Sequence, residues 1–127
     1  IASKVALNIY GLQRVAKNIE DNAGNVTRFI VIGKDEVPMG MNDKTSLLVV
    51  TKHESGALFD LLEPFKDNNI NMLQLARHPI PGVKWEYLFF IDIEGHQNND
   101  NVKDAISKIK SKVSKLEILG SYPIAVL

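Results

Sequence analysis

Trp85-Glu-Tyr-Leu-Phe-Phe-Ile-Asp-Ile-Glu94 is the stretch on which the fold turns. Trp85, Tyr87, Phe89, Ile91 and Ile93 alternate with Glu86, Leu88, Phe90, Asp92 and Glu94, and a period of two with one continuously apolar face predicts a β-strand. The other face still carries Leu88 and Phe90, which implies cover by another domain or subunit. Upstream, the turn signal Pro79-Ile-Pro-Gly82 follows a second strand, Asn71 to Arg77, so the two are expected to form a hairpin. Downstream, beyond Gly95 to Asn99, Asn101 is placed to cap a helix with the apolar stripe Val102, Ala105, Ile106, Ile109 and Val113. Lys103, Lys108, Lys110 and Lys112 fall on its wet side, and a last strand, Lys115 to Tyr122, closes at Pro123.

Further out, Thr45 to Thr51 is apolar on both faces, as a central strand is. Ser55 is the expected N-cap of a helix over Gly56 to Asn68 that buries Leu58, Phe59, Leu61, Leu62 and Phe65, with Pro64 kinking it or turning its last turn outward. The order strand, helix, strand, strand, helix, strand suits an open four-stranded antiparallel sheet with two helices on one face. This is an α+β, ferredoxin-like βαββαβ arrangement, a topology that hosts many unrelated activities.

Residues 1 to 34 read differently. Val5, Ile9, Leu12, Val15, Ala16 and Ile19 form one helical stripe that stops before Asn22 to Asn25, and Val26 to Ile32 resumes as a strand. A lone helix and strand leave an apolar face and two strand edges uncovered, so they belong to a larger sheet. Residues 34 to 44, with Pro38, Gly40 and scattered charge, break both periodicities and mark the domain boundary.

Composition narrows the function classes. The 127 residues are 45% hydrophobic and 24% charged, a globular mixture, and their 15 cationic and 15 acidic side chains leave no field to attract nucleic acid. There is no cysteine, which removes disulfides, thiolate nucleophiles and sulfur-based metal sites and permits a reducing, cytoplasmic setting. Apolar runs such as Leu47 to Val50 are far shorter than the roughly 20 residues a membrane helix needs. The chain starts at Ile1 and reads as a piece of a longer protein.

His53, His78 and His96 lack partners at ligand spacing, apart from Glu94 beside His96, so no metal is expected. The glycines form no phosphate-cradling series, and the aromatic face of the Trp85 strand is one the helices must cover rather than a platform for bases. The turn His53-Glu-Ser-Gly-Ala-Leu-Phe59 is more informative. Gly56 and Ala57 would let a small anion, such as an amino-acid carboxylate, approach the free amides of a helix start, though Ser-Gly-Ala is also an ordinary way to open a helix. Thr27, Arg28 and Phe29 form a second cluster: a hydroxyl donor beside a guanidinium able to grip a carboxylate, or simply the outward residues of a half-buried strand.

Taken in order, Tyr10-Gly11-Leu12, Asn25-Val-Thr-Arg-Phe29, Gly56-Ala-Leu-Phe59, Pro79, Trp85-Glu-Tyr-Leu-Phe-Phe90 and Leu119-Gly-Ser-Tyr-Pro123 resemble the C-terminal part of prephenate dehydratase along the whole chain. The resemblance makes residues 1–34 the tail of a catalytic domain, 35–44 a linker and 45–123 an ACT regulatory domain. It implies a cytoplasmic lyase without a cofactor that converts prephenate to phenylpyruvate, water and carbon dioxide, with L-phenylalanine as allosteric ligand. Thr27 matches the threonine of the family's Thr-Arg-Phe motif, which helps the ring hydroxyl leave by general-acid chemistry, and Arg28 is a candidate for the substrate carboxylates. The fragment alone is expected to be inactive.

For phenylalanine, the resemblance implies Ser55, Gly56, Ala57, Leu58 and Phe59 from the Gly-Ala-Leu turn, Asn71, and the strand end Ala76, Arg77, His78 and Pro79. The family's Glu-Ser-Arg-Pro is reduced there to its proline, which removes a carboxylate and installs a bulky cation. A homodimer or dimer of dimers is implied, two ACT sheets joining side by side. The alternative is a non-catalytic amino-acid-binding or dimerisation module for which residues 1–34 are a linker.

Overall fold

Alternation along the strand that ends at Glu94 decides the architecture, and the computed structural model, which describes residues 2–22, 24, 29–80 and 87–125, bears it out. In chain order the elements are α1 (Lys4–Tyr10), β1 (Asp43–Thr51), α2 (Ala57–Asp67), β2 (Met72–Pro79), β3 (Tyr87–Glu94), α3 (Asp100–Lys110) and β4 (Lys115–Pro123). The four strands form one sheet in the order β2-β3-β1-β4 with every neighbouring pair antiparallel, which is the ferredoxin-like βαββαβ topology of an ACT domain. Contacts divide the chain into two compact units, residues 1–32 and 33–127.

In the larger unit, Leu47, Val49, Phe89, Ile91 and Ile93 bury one sheet face against Leu61 and Phe65 of α2 and Val102, Ala105, Ile106 and Ile109 of α3. Each fully buried aliphatic side chain there contributes about 1.5–3 kcal/mol. β1 is buried along most of its length, as a central strand should be. Leu88 and Phe90 share the opposite face, where Phe90 remains exposed. A β-bulge between Ser46 and Leu47 of β1 and their partners Gly120 and Ile118 leaves Leu119 as the extra residue, and Gly120 beside it takes φ +148°, a conformation that favours glycine.

Several expectations shift in detail. Gly56, at φ +85°, is the N-cap of α2, and Ser55 makes no capping bond. α3 starts after Asn99, and Asn101, the expected cap, instead donates through Nδ2 to the Asn68 carbonyl at 3.4 Å. Asn99 Oδ1 accepts the His96 N–H at 2.6 Å, so the loop rather than the helix takes its side chain. α2 runs through Pro64 to Asp67 with the ring in the core, and Asn68 closes its C-terminal end, with backbone N–H and Nδ2 both donating to the Pro64 carbonyl. Pro81, Gly82, Trp85 and Glu86 lie outside the described residues, but antiparallel pairing of β2 with β3 is the hairpin geometry expected.

Larger corrections fall in residues 1–32. The stripe from Val5 to Ile19 predicts one long helix; α1 has only seven residues, begins at Ser3, whose Oγ accepts the Ala6 N–H, and ends at Gly11 in the left-handed conformation. Leu12, Val15 and Ile19 lie beyond it and are more than half exposed. No strand forms over residues 29–32, where Phe29, Ile30, Val31 and Ile32 are all exposed. The physical reason is common to both: short helices and single strands are marginal without a partner surface, and α1 has no buried residue.

Candidate functional site

The turn between β1 and α2 is built by Gly56. Its left-handed φ reverses the chain so that α2 starts at Ala57, whose N–H donates to the Glu54 carbonyl at 3.3 Å, while the Gly56 carbonyl accepts from Asp60. A Cβ placed on Gly56 would meet nothing within 4 Å, so glycine is required by its dihedral angle and the space above it is open. Leu58 and Phe59 stand exposed beside that space on the first turn of α2. The arrangement offers helix-start amides flanked by apolar side chains, which suits a small amphiphilic anion.

At the far end of β2, Arg77 pairs with Phe89 and therefore faces the helix side, with its guanidinium carbon 3.5 Å from the centre of the Tyr87 ring. Ala76 and His78 pair with Phe90 and Leu88 on the other face, and His78 meets Phe90 edge-on with ring centres 5.4 Å apart. Pro79 pairs with Tyr87 at the end of the strand. Because β1 and β2 both run antiparallel to β3, they run parallel to each other, and the Gly56 turn lies at the same end of the sheet as Ala76 to Pro79.

Asn71 does not join them. It precedes β2, its carbonyl accepts the Glu94 N–H at 2.9 Å and its Nδ2 donates to Glu94 Oε1 at 3.2 Å, which puts it at the opposite end. Roughly 25 Å of strand separates the two ends. One small ligand cannot touch Gly56 and Asn71 of the same chain. Thr27 and Arg28 lie outside the described residues, and Phe29 is exposed.

A polar cluster absent from the sequence reading occupies the sheet face opposite the helices. Lys44 Nζ lies 2.8 Å from Asp92 Oδ2, with only 9% and 11% of the two side chains exposed. Ser46 Oγ donates to Asp92 Oδ1 at 2.5 Å, so the Tyr122 hydroxyl, 2.7 Å away, donates to Ser46, and the Lys44 ammonium stands 5.3 Å from the centre of the Tyr122 ring. The signal was the parity of Lys44, Ser46 and Asp92, which puts all three on one face across paired strands. Among the described residues no group of three or more histidine and acidic side chains converges to hold a metal.

On the helix side, Lys112 Nζ lies 2.8 Å from Glu63 Oε2 and ties the turn after α3 to α2. Hydrogen bonding to Lys112 holds the Glu63 carboxyl below its ordinary value, and the same bond raises the Lys112 ammonium. Asp104 is lowered likewise, first by Lys108 and then by Asn68. All three groups are solvated and tune the surface rather than a reaction.

Comparison with known proteins follows this geometry. The model of the family "Prephenate dehydratase" matches residues 1–37. The bifunctional chorismate mutase/prephenate dehydratase of Stutzerimonas stutzeri is 43% identical over 127 residues, all of this chain and 35% of that relative. Among solved structures, the prephenate dehydratase of Arthrobacter aurescens in complex with L-Phe is 29% identical with a TM-score of 0.59, over 65% of this chain and 27% of that one. GqqA, described as a novel type of quorum quenching acylase, has a TM-score of 0.68 at 26% identity over 74% of this chain and 48% of its own. No helix among the described residues is long and apolar enough to cross a membrane. The chain spans about a third of the length of the curated relatives it matches, and along all of its own length it is a homologue of the C-terminal part of prephenate dehydratases.

Proposed function

We propose that this chain is the regulatory, C-terminal portion of a prephenate dehydratase, a cytoplasmic lyase of phenylalanine biosynthesis, and that its ACT-like domain senses L-phenylalanine. The observation that carries this is identity along all 127 residues to bifunctional enzymes, combined with a phenylalanine complex among solved structures of the same fold. In the reaction, prephenate loses carbon dioxide from its ring carbon as the ring C–O bond breaks, and the hydroxyl leaves as water. Thr27 is assigned as the donor that assists that departure, and Arg28 as a partner for the substrate carboxylates.

For the effector, we assign the Gly56–Phe59 turn of one chain and Asn71 with the Ala76–Pro79 strand of a second, in a homodimer or dimer of dimers. The strand-length separation of Gly56 from Asn71 within one chain supports a site shared by two chains. Calorimetric titration of L-phenylalanine, with tyrosine and tryptophan as controls and the mass followed by light scattering, tests this: saturable binding of phenylalanine to a dimer is expected. Absence of binding to a folded dimer would remove the sensing role. The isolated chain should not turn over prephenate.

A second reading is favoured by Ala76, Arg77 and His78, which replace three of the four family residues: a dimerisation or amino-acid-binding module without catalysis. The parent gene separates them, since a catalytic α/β domain encoded upstream of Ile1 supports the lyase.

A further inference from the structure

Of the three histidines only His96 is buried, at 2% exposed, while His53 and His78 are exposed. It stands in the loop between β3 and α3, and that loop is fastened to the sheet on either side of it. The Gly95 carbonyl accepts from Thr45 Oγ1 at 2.7 Å, and the Gln97 N–H donates to Ser121 Oγ at 2.9 Å. The Asn98 N–H donates to His96 Nδ1 at 3.1 Å, so that nitrogen is an acceptor and the ring proton sits on Nε2. Nε2 lies 3.1 Å from the Val37 carbonyl oxygen and therefore donates to it.

The segment at the other end of that bond has little else to hold it. Residues 33–42 form no helix or strand, and every one is exposed, Val37 by 42% and Met39 by 58%. Gly40 donates to Asp43, three residues on, and the Asn42 carbonyl accepts from Ile124 where the segment joins β1. Upstream of Gly40, the His96–Val37 bond is the sole hydrogen bond from the segment to the rest of the 33–127 unit among the described residues. With no buried apolar side chain to hold the segment, its docking depends on that bond. The family match ends at Val37, so the residue gripped is the last of the dehydratase-like stretch.

We propose that His96 is a latch: its Nε2–H docks the linker on the β3–α3 loop, and loss of that single bond releases residues 33–39 as a strap while the loop stays folded. A neutral hydrogen bond of this kind shifts the docked-to-released ratio about fivefold, weak enough for both states to be populated. The latch thus governs the freedom of the join between the two units. It rests on this contact alone and holds whether or not the chain senses phenylalanine.

Two substitutions divide the functions of the imidazole. His96→Asn puts an acceptor near the place of Nδ1, keeping the Asn98 bond and giving up Val37, whereas His96→Gln puts a donor near the place of Nε2, keeping Val37 and giving up Asn98. The readout is cleavage of the 127-residue chain after Glu36 by a glutamate-specific protease, followed by mass spectrometry, with hydrogen exchange of the Asn98 amide alongside. His96→Asn should be cut about fivefold faster than the wild type with Asn98 still protected, and His96→Gln should be cut at the wild-type rate with Asn98 unprotected. A wild-type rate in His96→Asn overturns the proposal. So does an acceleration in His96→Gln as large as that in His96→Asn, because the fold of the loop would then be what holds the linker. Should neither variant fold, the wild-type imidazole decides: nitrogen NMR spectra with the proton on Nε2 support the latch, and a proton on Nδ1 overturns it.

Discussion

Residues 1–32 and 33–127 carry the same kind of apolar periodicity and meet opposite fates. In the larger unit the stripes of α2 and α3 close over the odd-numbered residues of β1 and β3, and those side chains are buried. In the smaller, Val5, Ile9, Val15, Val31 and Ile32 are each more than half exposed. A hydrophobic pattern states what a segment will do once a partner surface is supplied, and does not itself supply one. The family model nevertheless matches residues 1–37, most of which lie in the unit whose apolar stripe is exposed.

The contrast can be broken most sharply by paired truncations. Leu61→Ala, in a fully buried site, should cost about 2–5 kcal/mol in urea unfolding, whereas Val15→Ala should stay within about 0.5 kcal/mol. Equal losses would show that residues 1–32 bury their stripe after all.

Next in size is the polar cluster. Asp92→Leu, which strips the Lys44 ammonium of its carboxylate inside a largely buried site, should cost about 3 kcal/mol, and the double variant Lys44→Met with Asp92→Leu should recover most of it. Failure of the double variant to recover would mean that the cluster shapes the sheet beyond its charges.

Gly56→Ala comes third. No atom obstructs the new methyl, so the expected loss of about 1–2 kcal/mol comes from the left-handed dihedral alone, and phenylalanine binding should weaken with it.

The smallest effect is a pH dependence. The Glu63 carboxyl is depressed in the folded chain by Lys112, so its stabilising contribution is present above the ordinary carboxylate value and is lost as pH falls through the lowered one. Lys112 is raised, so its contribution persists below the ordinary ammonium value and disappears as pH rises through the higher one. Glu63→Gln should flatten the acid limb slightly in denaturation midpoints measured across pH, and salt should shrink the difference between variant and parent.

How much of this was legible without coordinates follows the same division. β3, the α3 stripe and the strand order were readable because each residue's period matched a surface the chain itself provides, as Phe89, Ile91 and Val102 show, whereas the α2 stripe held at Leu61 and Phe65 but not at Leu58 and Phe59, which are exposed on the first turn. Caps were misplaced by one or two residues, since Ser55 and Asn101 are good capping side chains by type but Gly56 and Asn99 hold the positions by backbone geometry. The long helix from Val5 to Ile19 failed for want of a partner. Lys44 and Asp92 escaped notice because charged residues on a sheet face read as wet until cross-strand register brings opposite charges together.

Distance along β2 has one more consequence. If the effector is held by the Gly56 turn of one chain and Asn71 of another, the receptor does not exist in a lone chain, and its abundance rises with the square of chain concentration while the chains are mostly single. Feedback would then fade on dilution even in saturating amino acid, so the switch would report how much enzyme is present as well as how much product has accumulated.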